Sequence, residues 1–144
     1  LFAGEVAGVR SEVARGIYMR PATPPRFILE VALDSIQRMI DLAPQRMIFA
    51  HYGLVGDALT HLNIGRKQLQ LWVKGAAATA GLDGKEREQT FYDWLIEHDE
   101  NFALINQIPK DMLVREREFI GNSLRGMAEY VAGLSDEKRR QLAA

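Results

Sequence analysis

The run Arg46-Met47-Ile48-Phe49-Ala50-His51-Tyr52-Gly53 decides how this chain is read. Apolar and small residues lead without interruption into a histidine, an aromatic residue and a glycine, with Pro44 just upstream. A short, continuous apolar run closed off by proline and glycine reads as a strand of the parallel type, because a strand covered on both faces has no polar side to show. A histidine where such a strand stops stands at the rim of a sheet, where ligands of α/β proteins bind. The opening residues Leu1-Phe2-Ala3-Gly4-Glu5 have the same plan: a few apolar residues, a glycine, then one polar side chain. Two strands, each ending in a residue able to ligate a metal, are the pattern around which the rest is arranged.

Between these strands, Val6 to Arg26 lacks a lasting period and contains Arg20-Pro21-Ala22-Thr23-Pro24-Pro25. The prolines forbid helix there and favour an extended path. The segment reads as a long loop, either functional or a crossover covering a sheet edge. From Ile28 to Leu42, Leu29, Ala32/Leu33, Ile36 and Met39/Ile40 fall at helical spacing, with Glu30, Asp34, Gln37, Arg38 and Asp41 opposite. Ala43-Pro44 stops this helix. Strand, crossover, helix, strand is the order of a βαβ-like unit.

Beyond Gly53 the pattern is helical throughout. Asp57 is placed to cap a helix from Ala58 to Ala80, ended by Gly81. A second helix is expected over Lys85 to Asn106. Pro109 opens a third over Lys110 to Ala132, and Ser135 caps a short last one through Leu142. The expected class is therefore α/β (α+β): short strands with a crossover helix over residues 1–56, then a helical extension over residues 57–144.

At 144 residues the chain suffices for one domain, which can bury about 70% of the surface its unfolded form exposes. A net charge of −1 from 18 basic and 19 acidic residues gives no bulk field for nucleic acid or an anionic membrane. The runs Arg66-Lys67 and Lys138-Arg139-Arg140 are offset by neighbouring acids. With no cysteine, disulfides, thiolate zinc sites and a cysteine nucleophile are excluded, which fits the cytoplasm. No apolar run approaches a membrane span and no leader is seen. The chain opens on Leu1 inside an expected core strand, so we expect a piece of a longer polypeptide.

For chemistry, Glu5 and His51 supply a carboxylate and an imidazole, both suited to zinc, iron or manganese. A histidine at a strand end is otherwise simply a hydrogen-bonded residue, and catalytic zinc takes three protein ligands rather than two. Leu1-Phe2-Ala3-Gly4-Glu5-Val6-Ala7-Gly8, the proline-rich loop, the helix and Ile48-Phe49-Ala50-His51-Tyr52-Gly53 together resemble the C-terminal half of a metallo-β-lactamase-superfamily hydrolase, in its glyoxalase-II-like branch with added C-terminal helices. The resemblance covers about the first 55 residues and implies half of an αββα sandwich. In that family a strand ends in Gly-Asp, whose aspartate bridges two metal ions, and a later strand ends in a metal-binding histidine. These positions correspond to Gly4-Glu5 and His51.

Glu5 departs from the family's aspartate, and its extra methylene moves the carboxylate by on the order of 1.5 Å. The family's His-x-His-x-Asp-His motif is also absent. The remaining histidines, His61 and His98, read as solvated helix residues.

The resemblance thus implies two zinc (or iron or manganese) ions and hydrolysis of an ester, thioester or amide-like bond in the intact protein. The 144-residue chain alone is expected to be inactive and to hold metal weakly or not at all. Its implied partners are the N-terminal half of the same protein and a small-molecule substrate. Tyr52, Tyr18 and Arg20 are candidate substrate contacts, against the alternatives of aromatic packing and a solvated cation.

Exposed sheet core points to a homo-oligomer. The competing reading is a helical dimerisation or partner-binding module anchored by Trp72, Phe91, Trp94, Phe102 and Phe119. No Gly-x-Ser-x-Gly elbow and no phosphate-binding Gly-x-x-x-x-Gly-Lys loop is present.

Overall fold

The computed structural model describes residues 1–24, 26–51 and 53–144. Strand β1 (Phe2–Gly4) lies parallel to β4 (Met47–Phe49), and β4 pairs antiparallel with β5 (Leu54–Val55). The hydrogen bonds Ile48 N–H to Leu1 O (2.8 Å) and Ala50 N–H to Gly4 O (3.1 Å) carry the parallel pairing to the strand ends. Register is set by burial. Ala3, Met47, Phe49 and Val55 face inward, whereas Phe2, Ile48 and Leu54, aligned across the strands, face outward.

The segment expected to be a long loop is instead a hairpin. Strands β2 (Val9–Val13) and β3 (Gly16–Arg20) pair antiparallel around Ala14-Arg15. Apolar Val9, Val13, Ile17 and Met19 supply the packing, while Tyr18 and Arg20 are carried inward beside them. Gly8 permits the turn into the hairpin: its φ is +89°, and a Cβ there would lie 2.3 Å from the Arg20 carbonyl oxygen.

Helix α1 (Leu29–Asp41) has the expected inward stripe, with Leu29 and Ile36 buried. It packs on α2 (Ala58–Ala78), which also touches β3, α3 (Gly84–His98), α4 (Lys110–Ala132) and α5 (Asp136–Ala143). Asp57 caps α2 by accepting from the Thr60 N–H, and Ser135 caps α5 by accepting from the Lys138 N–H.

The helix expected to run to Asn106 is interrupted. Asp99 is extended, and a short 3-10 helix follows over Phe102–Gln107. The cause is a buried carboxylate. Asp99 Oδ1 accepts from the N–H groups of Asn101 and Phe102, and Oδ2 accepts from Trp72 Nε1 at 2.8 Å, with Gln68 Nε2 within reach of both oxygens. Burial raises the Asp99 carboxyl above its ordinary range, although these donors pull the other way.

The core falls into two clusters. One lies under the β1–β4–β5 sheet (Ala3, Met19, Met47, Phe49, Leu62), the other among the helices (Tyr18, Ile36, Trp72, Phe91, Phe102, Met127), and Ile40 packs against both. Residues before and after position 56 contribute to each. Among the described residues, no helix is long and apolar enough to cross a membrane. The coarse class is thus mixed α+β and mostly helical.

Candidate functional site

The site grows out of the parallel β1–β4 pair. Gly4 takes φ +58°, which bends the chain after β1 into a turn closed by the Gly8 N–H on the Glu5 carbonyl at 2.9 Å. The Ala50 N–H on Gly4 O fixes the end of β4 beside that turn. Glu5 and His51, distant in the chain, therefore meet: His51 Nε2 lies 3.1 Å from Glu5 Oε1. An ionised carboxylate only accepts, so Nε2 carries the proton in this contact. Both side chains are more than half exposed.

Two donor atoms on one tetrahedral zinc, each about 2.0–2.2 Å from the ion, stand about 3.4 Å apart. The observed separation is close to this, so the pair fits as two ligands of one ion once Nε2 gives up its proton. Among the described residues there is no group of three or more His, Asp or Glu able to hold a metal. The pair supplies part of a metal's coordination sphere rather than all of it.

Glu5 and His51 open onto a cavity of about 600 Å³. Its far wall is one face of α4, where Glu116, Phe119, Ser123 and Gly126 follow one another at spacings of three and four residues. Arg20 and Thr23 also line the cavity, and Thr23 Oγ1 is buried with no hydrogen-bond partner among the described residues. The lining carries three carboxylates (Glu5, Glu116, Glu129) and two guanidiniums (Arg20, Arg125), with Arg20 paired directly to Glu116. That balance does not select for an anionic ligand.

Arg20 is not a solvated cation. Its Nε and Nη2 donate to the two oxygens of Glu116 at 2.6 and 3.0 Å, and its Nη1 donates to the Pro21 carbonyl. Burial disfavours the Arg20 charge, but the hydrogen bonds and charge of Glu116 more than offset this and raise its pKa. Tyr18, expected as a substrate contact, is fully buried, and its hydroxyl donates to Glu116 Oε2 at 2.9 Å. Burial and the neighbouring Glu116 push that hydroxyl far up. Tyr18 thus braces Glu116 and does not reach the cavity. Tyr52 lies outside the described residues.

His61, expected to be solvated, is 4% exposed. Its Nδ1 lies 2.6 Å from the Asp57 carbonyl, and its Nε2 accepts from Arg10 Nε at 3.4 Å. The ring packs edge-on against Phe49. His98 does sit at the surface, stacked on Trp94.

The α4 wall was missed by sequence reasoning. Its spacing was there to see, but Glu116, Ser123 and Gly126 carry no hydrophobic signal. Comparisons with protein-family models, curated proteins and solved structures give no match to this chain.

Proposed function

We propose that the chain is the C-terminal portion of a metal-dependent hydrolase of the metallo-β-lactamase superfamily, acting on an ester, thioester or amide-like bond. The observation that supports this reading most directly is the 3.1 Å approach of Glu5 and His51 at the tips of two parallel strands, open to a cavity. A metal bound at this corner would polarise the scissile carbonyl and lower the pKa of a water molecule. Glu5 and His51 would hold and orient that metal, the α4 face would position the substrate, and the buried Arg20–Glu116 pair would keep that face in place.

Since two ligands fall short of the three that catalytic zinc takes, the remaining ligands belong to a longer polypeptide in this reading. The 144-residue chain alone should bind zinc weakly or not at all; stoichiometric sub-micromolar binding by calorimetry would contradict it. The coding sequence upstream of Leu1 should contain a His-x-His-x-Asp-His motif. The full-length product should bind zinc and hydrolyse a thioester, and H51A should lose at least one ion. A start codon next to Leu1, or a full-length product with no affinity for zinc, would sink the proposal.

The helical-module reading loses most of its anchors. Trp72, Phe91 and Phe102 are fully buried and Trp94 is half-buried, which leaves only Phe119 exposed.

A further inference from the structure

Beside the core-facing stripe of α1, Val31 and Ser35 stand four residues apart next to Ala32, and Ile28, the residue before the helix, precedes Val31 by three. With Val6 and Phe27 they line an apolar groove of about 340 Å³. Ile28 and Val31 are 53% and 60% exposed. Both are large aliphatic side chains that line the same groove.

The groove is continuous with the site already described. Glu5, Ala22 and Pro24 line both the groove and the larger cavity. Val6 follows Glu5 directly, so the apolar surface begins one residue from the carboxylate that faces His51. The two spaces differ in character. The cavity mixes carboxylates, guanidiniums and hydroxyls with apolar residues such as Val9 and Phe119, whereas the groove is mostly apolar, with Glu5, Arg26 and Ser35 as its polar residues.

The groove meets the cavity at the three residues they share, so a single small ligand can reach from one into the other. The groove's volume falls within the range of small-ligand sites, about 300–1,000 Å³.

We propose that this groove is an acyl-chain subsite: the ligand is an ester, thioester or amide of an uncharged aliphatic acid, with its chain along Val6, Ile28 and Val31, its carbonyl beside Glu5 and His51, and its polar part in the α4-walled cavity. The substrate class rests on the hydrolase reading; the groove's affinity for an aliphatic chain does not.

The test needs neither metal nor turnover. Alkanoyl ethanolamides from acetyl to decanoyl are titrated into the 144-residue chain and followed by nuclear magnetic resonance. Affinity should climb about three- to fourfold per added methylene until the groove is filled, the increment expected for burying each group. I28E and V31E, at exposed positions, should abolish the increments without lowering the thermal midpoint. V114E, at an exposed apolar position on α4 that does not line the groove, should leave them intact.

The proposal is overturned if no ethanolamide binds, if affinity is independent of chain length, or if the increments survive both groove substitutions. It is likewise overturned if V31E changes only the oligomeric state, which would assign the surface to a second copy of the chain. Chain-length dependence here, alongside a full-length product with no affinity for zinc, would retain the groove and remove the hydrolase. Zinc-dependent hydrolysis with no chain-length dependence would remove the groove alone.

Discussion

At the scale of single residues, Glu116 matters most. It is 4% exposed and takes hydrogen bonds from Tyr18 and from two nitrogens of Arg20. Replacing it by alanine strands a buried guanidinium and a buried hydroxyl together. E116A should therefore cost about 3–5 kcal/mol, read as a fall in the urea midpoint at constant slope. Removing both charges tells the pair's worth from the penalty of orphaning one of them. R20M/E116L should recover most of the loss, because well-packed apolar side chains replace a buried ion pair at little cost. A double variant as unstable as E116A would show the pair to be net stabilising.

The same residues show where sequence reasoning stops. Glu5 and His51 were legible because each closes an apolar run, a local signal. The inward turn of Tyr18 and Arg20 was not, because what allows it is a carboxylate 96 residues away. A reader of the chain sees Arg20 beside three prolines and assigns it to a loop in water. His61 was hidden in the same way, since burying it depends on the distant Arg10.

At the scale of elements, α1, α2, α4 and α5 were legible to within two residues, whereas α3 stops eight residues short of the expected end. Their apolar positions recur at the helical period, and Asp57, Pro109 and Ser135 mark the starts. The hairpin was not. Its turn, Ala14-Arg15, lacks the Asn-Gly or Asp-Gly signature, and the buried Arg10 and Arg20 break the alternation of its strands.

Helix packing has its own test at Gly75, where α2 meets α3. A Cβ there would lie 2.6 Å from Trp94 Cε3 and 2.8 Å from Phe91 Cε2. G75A should cost about 1–3 kcal/mol by overpacking, measured by urea unfolding; an unchanged midpoint would show that the two rings yield freely.

Three helices also meet at a polar junction. Glu30 of α1 accepts from Tyr130 of α4 and pairs with Lys138 of α5. The Lys138 hydrogen bond is the largest influence holding the Glu30 carboxyl below its ordinary value of 4.5. This contribution is present above that value and is lost as pH falls through the lower folded one. Burial pushes the Tyr130 hydroxyl from 10.0 up to about 12, with Glu30 adding to the shift. Its share is present below the ordinary value and is lost as pH rises toward the folded one. Stability of the wild-type chain relative to E30Q should thus decline at both ends. The effect at the acid end should be at most about 1 kcal/mol, because the pair is solvated. A pH-independent difference between the two proteins would exclude this account.

At the scale of the whole molecule, the outer face of the sheet remains uncovered. Phe2 is 82% exposed and Leu54 60%, and both lie in register with Ile48. Monomers seldom leave such a row in water. We expect a dimer or larger species by light scattering, and F2S/L54S should shift it toward monomer. A wild-type monomer at high concentration would count against the expectation.

The Arg20–Glu116 pair also bears on the order in which the chain becomes a protein. A ribosome delivers the hairpin long before it delivers α4, so for most of synthesis Arg20 has no counter-charge to fold around. The hairpin can close early, but it cannot dock dry, because docking would bury a lone guanidinium. Its docking waits until α4 leaves the exit tunnel, which makes the last fifth of the chain the trigger for consolidating the first.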